Sequence, residues 1–170
     1  ENPLVQLLLG STANRLLRVH SGAVLIVRNA DVRPYEHVLA AVDFSLVTPA
    51  VLTLARWLAS STGLAVLHVL HVLEPELYRR MPEGEREQVK AEMRAIAENL
   101  MADLLSGLPG ENAGHIETGY PPERVLEWSR RGRADLVVLG RRRPCLEEYL
   151  LGSVCKSMTQ TADCDVLVTP

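Results

Sequence analysis

The run Val38-Leu39-Ala40-Ala41-Val42 contains no polar residue and stops at Asp43-Phe44-Ser45. A short unbroken apolar stretch of this kind predicts a strand covered on both faces, as in a parallel sheet. Beyond it the period changes. Val51, Leu54, Ala55 and Leu58 recur at helical spacing, with Ser45 placed to cap, Pro49 in the first turn and Gly63 as the C′ stop. A second strand is predicted from Leu64 to Val72. From Glu85 to Ser106, the residues Val89, Met93, Ile96, Leu100 and Leu104 lie three or four apart and form one apolar stripe on a charged helix. Gly107-Leu108-Pro109-Gly110 breaks that helix, and a weaker strand follows from His115 to Thr118. Pro121-Pro122 opens a short helix holding Val125 and Trp128, which Gly132 stops. Asp135 to Gly140 reads as a buried strand, and a helix from Gly152 and a strand from Asp165 to Thr169 complete the series.

Strands and helices therefore alternate as βαβαβαβαβ from Arg33 to Pro170. That order predicts an α/β fold, with a parallel sheet covered on both faces and right-handed crossovers. The two ends of the chain also resemble each other. Leu7-Leu8-Leu9-Gly10-Ser11 matches Tyr149-Leu150-Leu151-Gly152-Ser153, and without a gap Ala23 to Val27 falls on Asp165 to Thr169, at a constant offset of 142 residues. Such self-similarity predicts duplication. Residues 1–28 are then the last helix and strand of a preceding domain copy, residues 29–34 a linker and residues 35–170 a complete domain. The chain begins at Glu1 without a Met, so a tag, a cleavage or missing upstream sequence is expected.

Composition narrows the class further. Among 170 residues, 47 % are hydrophobic and 23 % charged, enough for a core and for solubility. The net charge of −3 gives no electrostatic support to nucleic-acid binding. No apolar stretch is long enough to insert directly into a membrane, and no export signal precedes the domain. Cys145, Cys155 and Cys164 are odd in number and lack CxxC spacing, which argues against disulfides and zinc and favours a reducing, cytoplasmic setting. His68 and His71, three apart on one strand, point to opposite faces and cannot share a metal. No Ser/His/Asp or Cys/His set has motif support, so nothing predicts an enzyme.

Several segments together resemble the universal stress protein family. Ala41-Val42-Asp43-Phe44-Ser45 looks like its first-strand signature, and His71-Val72-Leu73-Glu74-Pro75 is similar to its second-strand ending. Asp135 to Gly140 looks like its fourth strand, and Gly10-Ser11-Thr12-Ala13-Asn14-Arg15 like the helix after its phosphate loop. The resemblance implies a five-stranded parallel sheet in the order 3-2-1-4-5, with the fifth strand used for pairing between domains. The order reverses between strands 1 and 4, where open α/β sheets bind ligands. In the nucleotide-binding branch ATP, with Mg2+, lies there. The implied ligand contacts are Asp43, Val72, Gly140, Arg141, Arg143, Gly152, Ser153 and Val154.

The loop after strand 4 departs from that branch's pattern, G-x2-G-x9-G-[ST]. Gly140 supplies the first glycine, but Arg143 stands at the second, and Gly152-Ser153 arrives one residue early. Glycines there let backbone N–H groups approach phosphate oxygens. Two readings stay open. Arg141, Arg142 and Arg143 replace those amides with guanidinium forks, or the run is a solvated loop and the nucleotide site has decayed. The expected function is a stress-response regulatory module binding an ATP-like nucleotide or related anion, and self-associating through its last strand. The rivals are a non-nucleotide pairing protein, the regulatory end of a longer protein such as a transporter, and slow ATP hydrolysis.

Overall fold

The structure is a computed structural model that describes residues 11–28, 33–60, 66–73, 78–141 and 151–170. Its elements are α1 (Ser11–Val19), β1 (Val24–Ile26), β2 (His37–Val42), α2 (Thr48–Ser60), β3 (Val66–Leu73), α3 (Glu83–Ser106), β4 (Asn112–Thr118), α4 (Pro121–Arg131), β5 (Leu136–Gly140), α5 (Ser153–Thr161) and β6 (Asp165–Thr169). The strands form one sheet in the order β1-β6-β5-β2-β3-β4. From β2 to β6 all neighbours are parallel, and those five follow the order expected of a complete domain. The expectation of a five-stranded parallel sheet is nevertheless corrected. The N-terminal strand joins antiparallel to β6, so the sheet has six strands and is mixed.

Alternation along each buried strand sorts the core into two layers. Val38, Ala40, Leu67, Val69, Leu136 and Val138 pack with α2 and with Met101 of α3. Leu39, Leu70, Val137, Leu139 and Val166 face Val125 of α4, Cys155 and Met158 of α5 and Leu17 of α1. The crossovers β2–α2–β3 and β3–α3–β4 thus lie on one face, and those through α4 and α5 on the other. This is a doubly wound arrangement.

Two helical readings change. α2 starts at Thr48, so Ser45 is not its cap. The Ser45 N–H is turned onto Asp43 Oδ1 at 3.1 Å, and the Ser45 carbonyl accepts from Thr48 N at 3.0 Å, so the residue belongs to a preceding turn. On α3, Ala97 and Met101 are buried while Ile96 and Leu100 are exposed, so the buried stripe lies one residue along from the predicted one at its centre. Gly63 and Cys145 lie outside the described residues. Cys155 and Cys164 are free and buried, and burial pushes their thiols up to about 12 and about 11 respectively.

The N-terminal unit docks on the domain's last strand with a symmetrical register. Val24 pairs with Val168, Leu25 with Leu167 and Ile26 with Val166. Leu17, Val24 and Ile26 enter the core layer of α5, and Leu17 is 1 % exposed. Arg28 N donates to Asp165 Oδ1 at 2.7 Å, and its guanidinium donates to the Thr159 carbonyl.

Candidate functional site

β2 and β5 are neighbours, yet the chain leaves β2 towards β3 and β5 towards β6, in opposite directions across the sheet. Helices leaving in opposite directions open a crevice at the carboxyl ends of the two strands. A cavity of about 180 Å3 occupies it. The starts of three helices form its walls: Val47 just ahead of α2 with Thr48 and Val51, Pro121 and Val125 from α4, and Gly152 just ahead of α5 with Ser153, Val154 and Cys155. Its floor is made by Ala41, Val42, Leu70, Val72, Leu139 and Gly140 at the strand ends. The positive end of the macrodipole favours an anion at the starts of α2 and α5, and at α5 the first helical bond comes only at Lys156 N, which donates to the Gly152 carbonyl. α4 adds shape rather than donors, since Pro121 and Pro122 have no N–H and the N–H groups of Glu123 and Arg124 both donate to the Tyr120 carbonyl. The apolar floor suits a flat, weakly polar group.

Of the residues expected at the site, Asp43, Val72, Gly140, Gly152, Ser153 and Val154 line this cavity. Arg141 is turned elsewhere. It is 7 % exposed, its backbone N–H donates to Thr169 O and its Nη1 donates to the Leu17 carbonyl at 2.7 Å, at the end of α1. Arg143 lies outside the described residues, as do Arg142 and the rest of 142–150. Ser153 opens α5 without capping it; the cap position is Gly152, with no side-chain bond.

Local interactions fix the Asp43 turn. Phe44 adopts a positive φ of 55°, a conformation unfavourable for a side chain of its size. Its ring lies 4.2 Å from that of His71, centroid to centroid, and His71 Nδ1 lies 3.0 Å from the Val42 carbonyl, which requires Nδ1 to carry the proton. Burial lowers the His71 pKa and favours that neutral tautomer. Gly140 has a packing reason of its own. A Cβ there would stand 2.6 Å from Val47 Cγ2. Cys155 directs its Sγ to the Gly140 carbonyl at 3.3 Å, and its raised pKa leaves it a neutral wall residue rather than a nucleophile.

Sequence reasoning missed Thr48, Pro121, Val125 and Cys155 on the walls. Thr48 is 3 % exposed and its Oγ1 has no hydrogen-bond partner among the described residues. The available signal was positional: Thr48 begins α2 after β2, Pro121 begins α4, and Val125 and Cys155 lie in the opening turns of α4 and α5. A second concavity of about 280 Å3 lies around Arg33, Arg133, Asp135 and Asp163, where Arg130 and Asp163 pair at 2.7 Å. It is larger but more open, and it lacks the converging helix starts.

Residues 34–170 match the Universal stress protein family. The Universal stress protein A homolog 1 of Coxiella burnetii (strain RSA 493 / Nine Mile phase I) is 30 % identical over 144 residues, covering 78 % of this chain and 94 % of its own. Among solved structures, a putative universal stress protein from Pseudomonas aeruginosa UCBPP-PA14 superposes with a TM-score of 0.77 at 25 % identity, over 99 % of this chain and 59 % of the other. A universal stress protein solved in complex with cAMP superposes at a TM-score of 0.59 and 20 % identity, over 81 % of this chain and 98 % of its own. With a match spanning residues 34–170, the chain belongs to the universal stress protein family.

Proposed function

We propose that this protein is a cytoplasmic stress-response regulatory module whose crevice binds a nucleotide, ATP-like in its phosphates, or a related anion. The observation that carries the reading is the convergence of the α2, α4 and α5 first turns on one cavity at the strand-order reversal. Apolar strand ends offer a surface for a base, and the starts of α2 and α5 offer N–H groups for phosphate, while α4 opens on Pro121-Pro122 and contributes wall. A relative of the same fold in complex with cAMP supports a nucleotide as the class. Asp43, Val72, Gly140, Gly152, Ser153 and Val154 are the proposed contacts, and Arg143 remains a proposed one. Arg141 would need to leave Leu17 to contribute.

Mg2+ is expected to arrive on the phosphates. Among the described residues no group of three or more His, Cys, Asp or Glu could hold a metal. The role is binding rather than turnover. On the described walls the ionisable side chains are Asp43 and Cys155; the thiol is held protonated, and the Asp43 carboxylate accepts from the Ser45 N–H.

Calorimetric titration with ATP and Mg2+ tests this, with cAMP as a second titrant. One saturable site in the submillimolar range, without the continuing heat of hydrolysis, is the expected result. No heat from either at millimolar concentration would remove the nucleotide reading.

A pairing role is favoured by a separate observation. α1 and α5 have bounds that differ by the same 142 residues as the sequence repeat, and Leu25 sits opposite its own equivalent, Leu167. This supports residues 1–28 as the end of a preceding copy, with β1 and β6 related by a local two-fold axis. The Pseudomonas aeruginosa structure, of which this chain matches 59 %, is long enough for such an arrangement.

A further inference from the structure

On the sheet face beneath α4, three imidazoles step diagonally across adjacent strands. The register sets Leu39 beside His68 and His68 beside Ala113, which brings His37 of β2, His68 of β3 and His115 of β4 into line. The ring centroids of His37 and His68 are 6.4 Å apart, and those of His68 and His115 are 5.4 Å apart. Trp128 of α4 covers the pair at 5.0 Å from His68 and 4.5 Å from His115. All four rings are half-buried.

We propose that His37, His68, His115 and Trp128 form an acid-responsive latch, which holds α4 on the sheet while the imidazoles are neutral and loosens it when they charge.

The geometry limits how many protons the cluster holds. His68 Nδ1 lies 3.2 Å from His115 Nε2, so one nitrogen carries a hydrogen and the other a lone pair. One added proton is compatible with that bond; two leave N–H facing N–H between two cations. Trp128 favours a single imidazolium beneath it by cation–π attraction. A second charge meets repulsion in a site with reduced solvent access. His37 Nδ1 is buried without a hydrogen-bond partner among the described residues.

The other charged groups facing the cluster are few. Glu111, ahead of β4, acts on His68 and favours its charge, and Glu117 of β4 does the same for His115. Glu117 is shared with Arg131 of α4 at 3.6 Å, which weakens its effect. Burial outweighs both. It lowers His68, with further lowering by His115 and His37, and it lowers His115. The sign follows. Below the ordinary value of 6.5 the unfolded chain binds more protons than the folded one, so stability present above that pH is lost as pH falls through the lowered folded values. Val125, three residues before Trp128 on α4, lies on the crevice wall, so loosening the helix also reshapes the crevice.

The test uses Trp57→Phe protein, because Trp57 is 68 % exposed and its removal leaves Trp128 as the only tryptophan. Emission and hydrogen exchange, corrected for intrinsic rate, are followed between pH 7.5 and 5.0, with imidazole titrations by NMR. Trp128 emission should change with a midpoint below 6.5, alongside faster exchange concentrated in residues 121–131, and both changes should vanish in His68→Gln/His115→Gln. The single variant His115→Gln should raise the His68 midpoint, which keeps the test available if the double variant folds poorly. Flat emission and exchange while the imidazoles titrate would overturn the proposal, as would an unchanged transition in either variant.

Discussion

Gly140 has two claims on it, and packing is the stronger. Its missing side chain lets Val47, just ahead of α2, and Val51 of α2 close on the end of β5, where a Cβ would meet their methyl groups at 2.6 Å and 3.2 Å. Gly140→Ala should therefore destabilise the fold by about 1–3 kcal/mol through overpacking, measured by urea unfolding. Unchanged stability would mean that α2 gives way freely. Because packing alone requires this glycine, its agreement with a phosphate-loop pattern says little about phosphate. The same holds for Asp43, whose carboxylate already serves the turn before α2. The residues with fewer structural duties are more informative: Thr48, with an unpartnered hydroxyl, and Ser153, exposed at the start of α5 without capping it.

Among the elements, the N-terminal unit is held by a few strong polar contacts. Arg141 Nη1 and the Arg28 guanidinium donate to the carbonyls of Leu17 and Thr159, each third from the end of its helix. Such carbonyls lack intrahelical partners, and cations suit the helix end. Asp165, 7 % exposed, accepts from Arg28 N at 2.7 Å and from the Tyr35 hydroxyl at 2.8 Å. Burial, then that bond, raises the Tyr35 pKa and keeps the hydroxyl a donor at neutral pH. Asp165→Ala strands both donors and should cost about 2 kcal/mol, with faster hydrogen exchange in residues 24–28. A loss of stability without local opening would separate the strand from this clasp. β2 and β5 were legible in sequence because parallel strands buried on both faces read as unbroken apolar runs. β4, Asn112–Thr118, is instead an edge strand of mixed polarity and begins three residues before the predicted His115. The crevice was legible because strand order dictates its place. The α3 stripe was misread at its centre because Ile96 and Leu100 also recur at helical spacing, yet there Ala97 and Met101, each one residue along, are the buried ones, while Leu104 does pack against the core. Nor could local spacing show the imidazole row, since its members meet through the registers of β2, β3 and β4. The fate of Arg141 was hidden for a similar reason: its acceptor lies 124 residues away.

At the scale of the whole molecule, the sheet is asymmetric about its own local two-fold axis. β6 has β5 on one side and β1 on the other, whereas β1 ends the sheet and has no outer neighbour among the described residues. Leu16, Val19, Leu25 and Val27, all on this unit, are exposed. An apolar, unpaired edge promotes association. In a chain with a complete preceding copy, that copy's own strand would lie beside β1 as β5 lies beside β6. In the 170-residue chain, a second molecule is expected to cover the edge. Size-exclusion chromatography with light scattering should give at least twice the 18.8 kDa of one chain, and Leu25→Lys/Val27→Lys should return it towards 18.8 kDa. The substitutions fall on exposed positions, so the fold should survive them, as circular dichroism would verify. A wild-type monomer whose β1 amides remain protected from exchange would sink this expectation, because the single domain would then tolerate its open edge unaided.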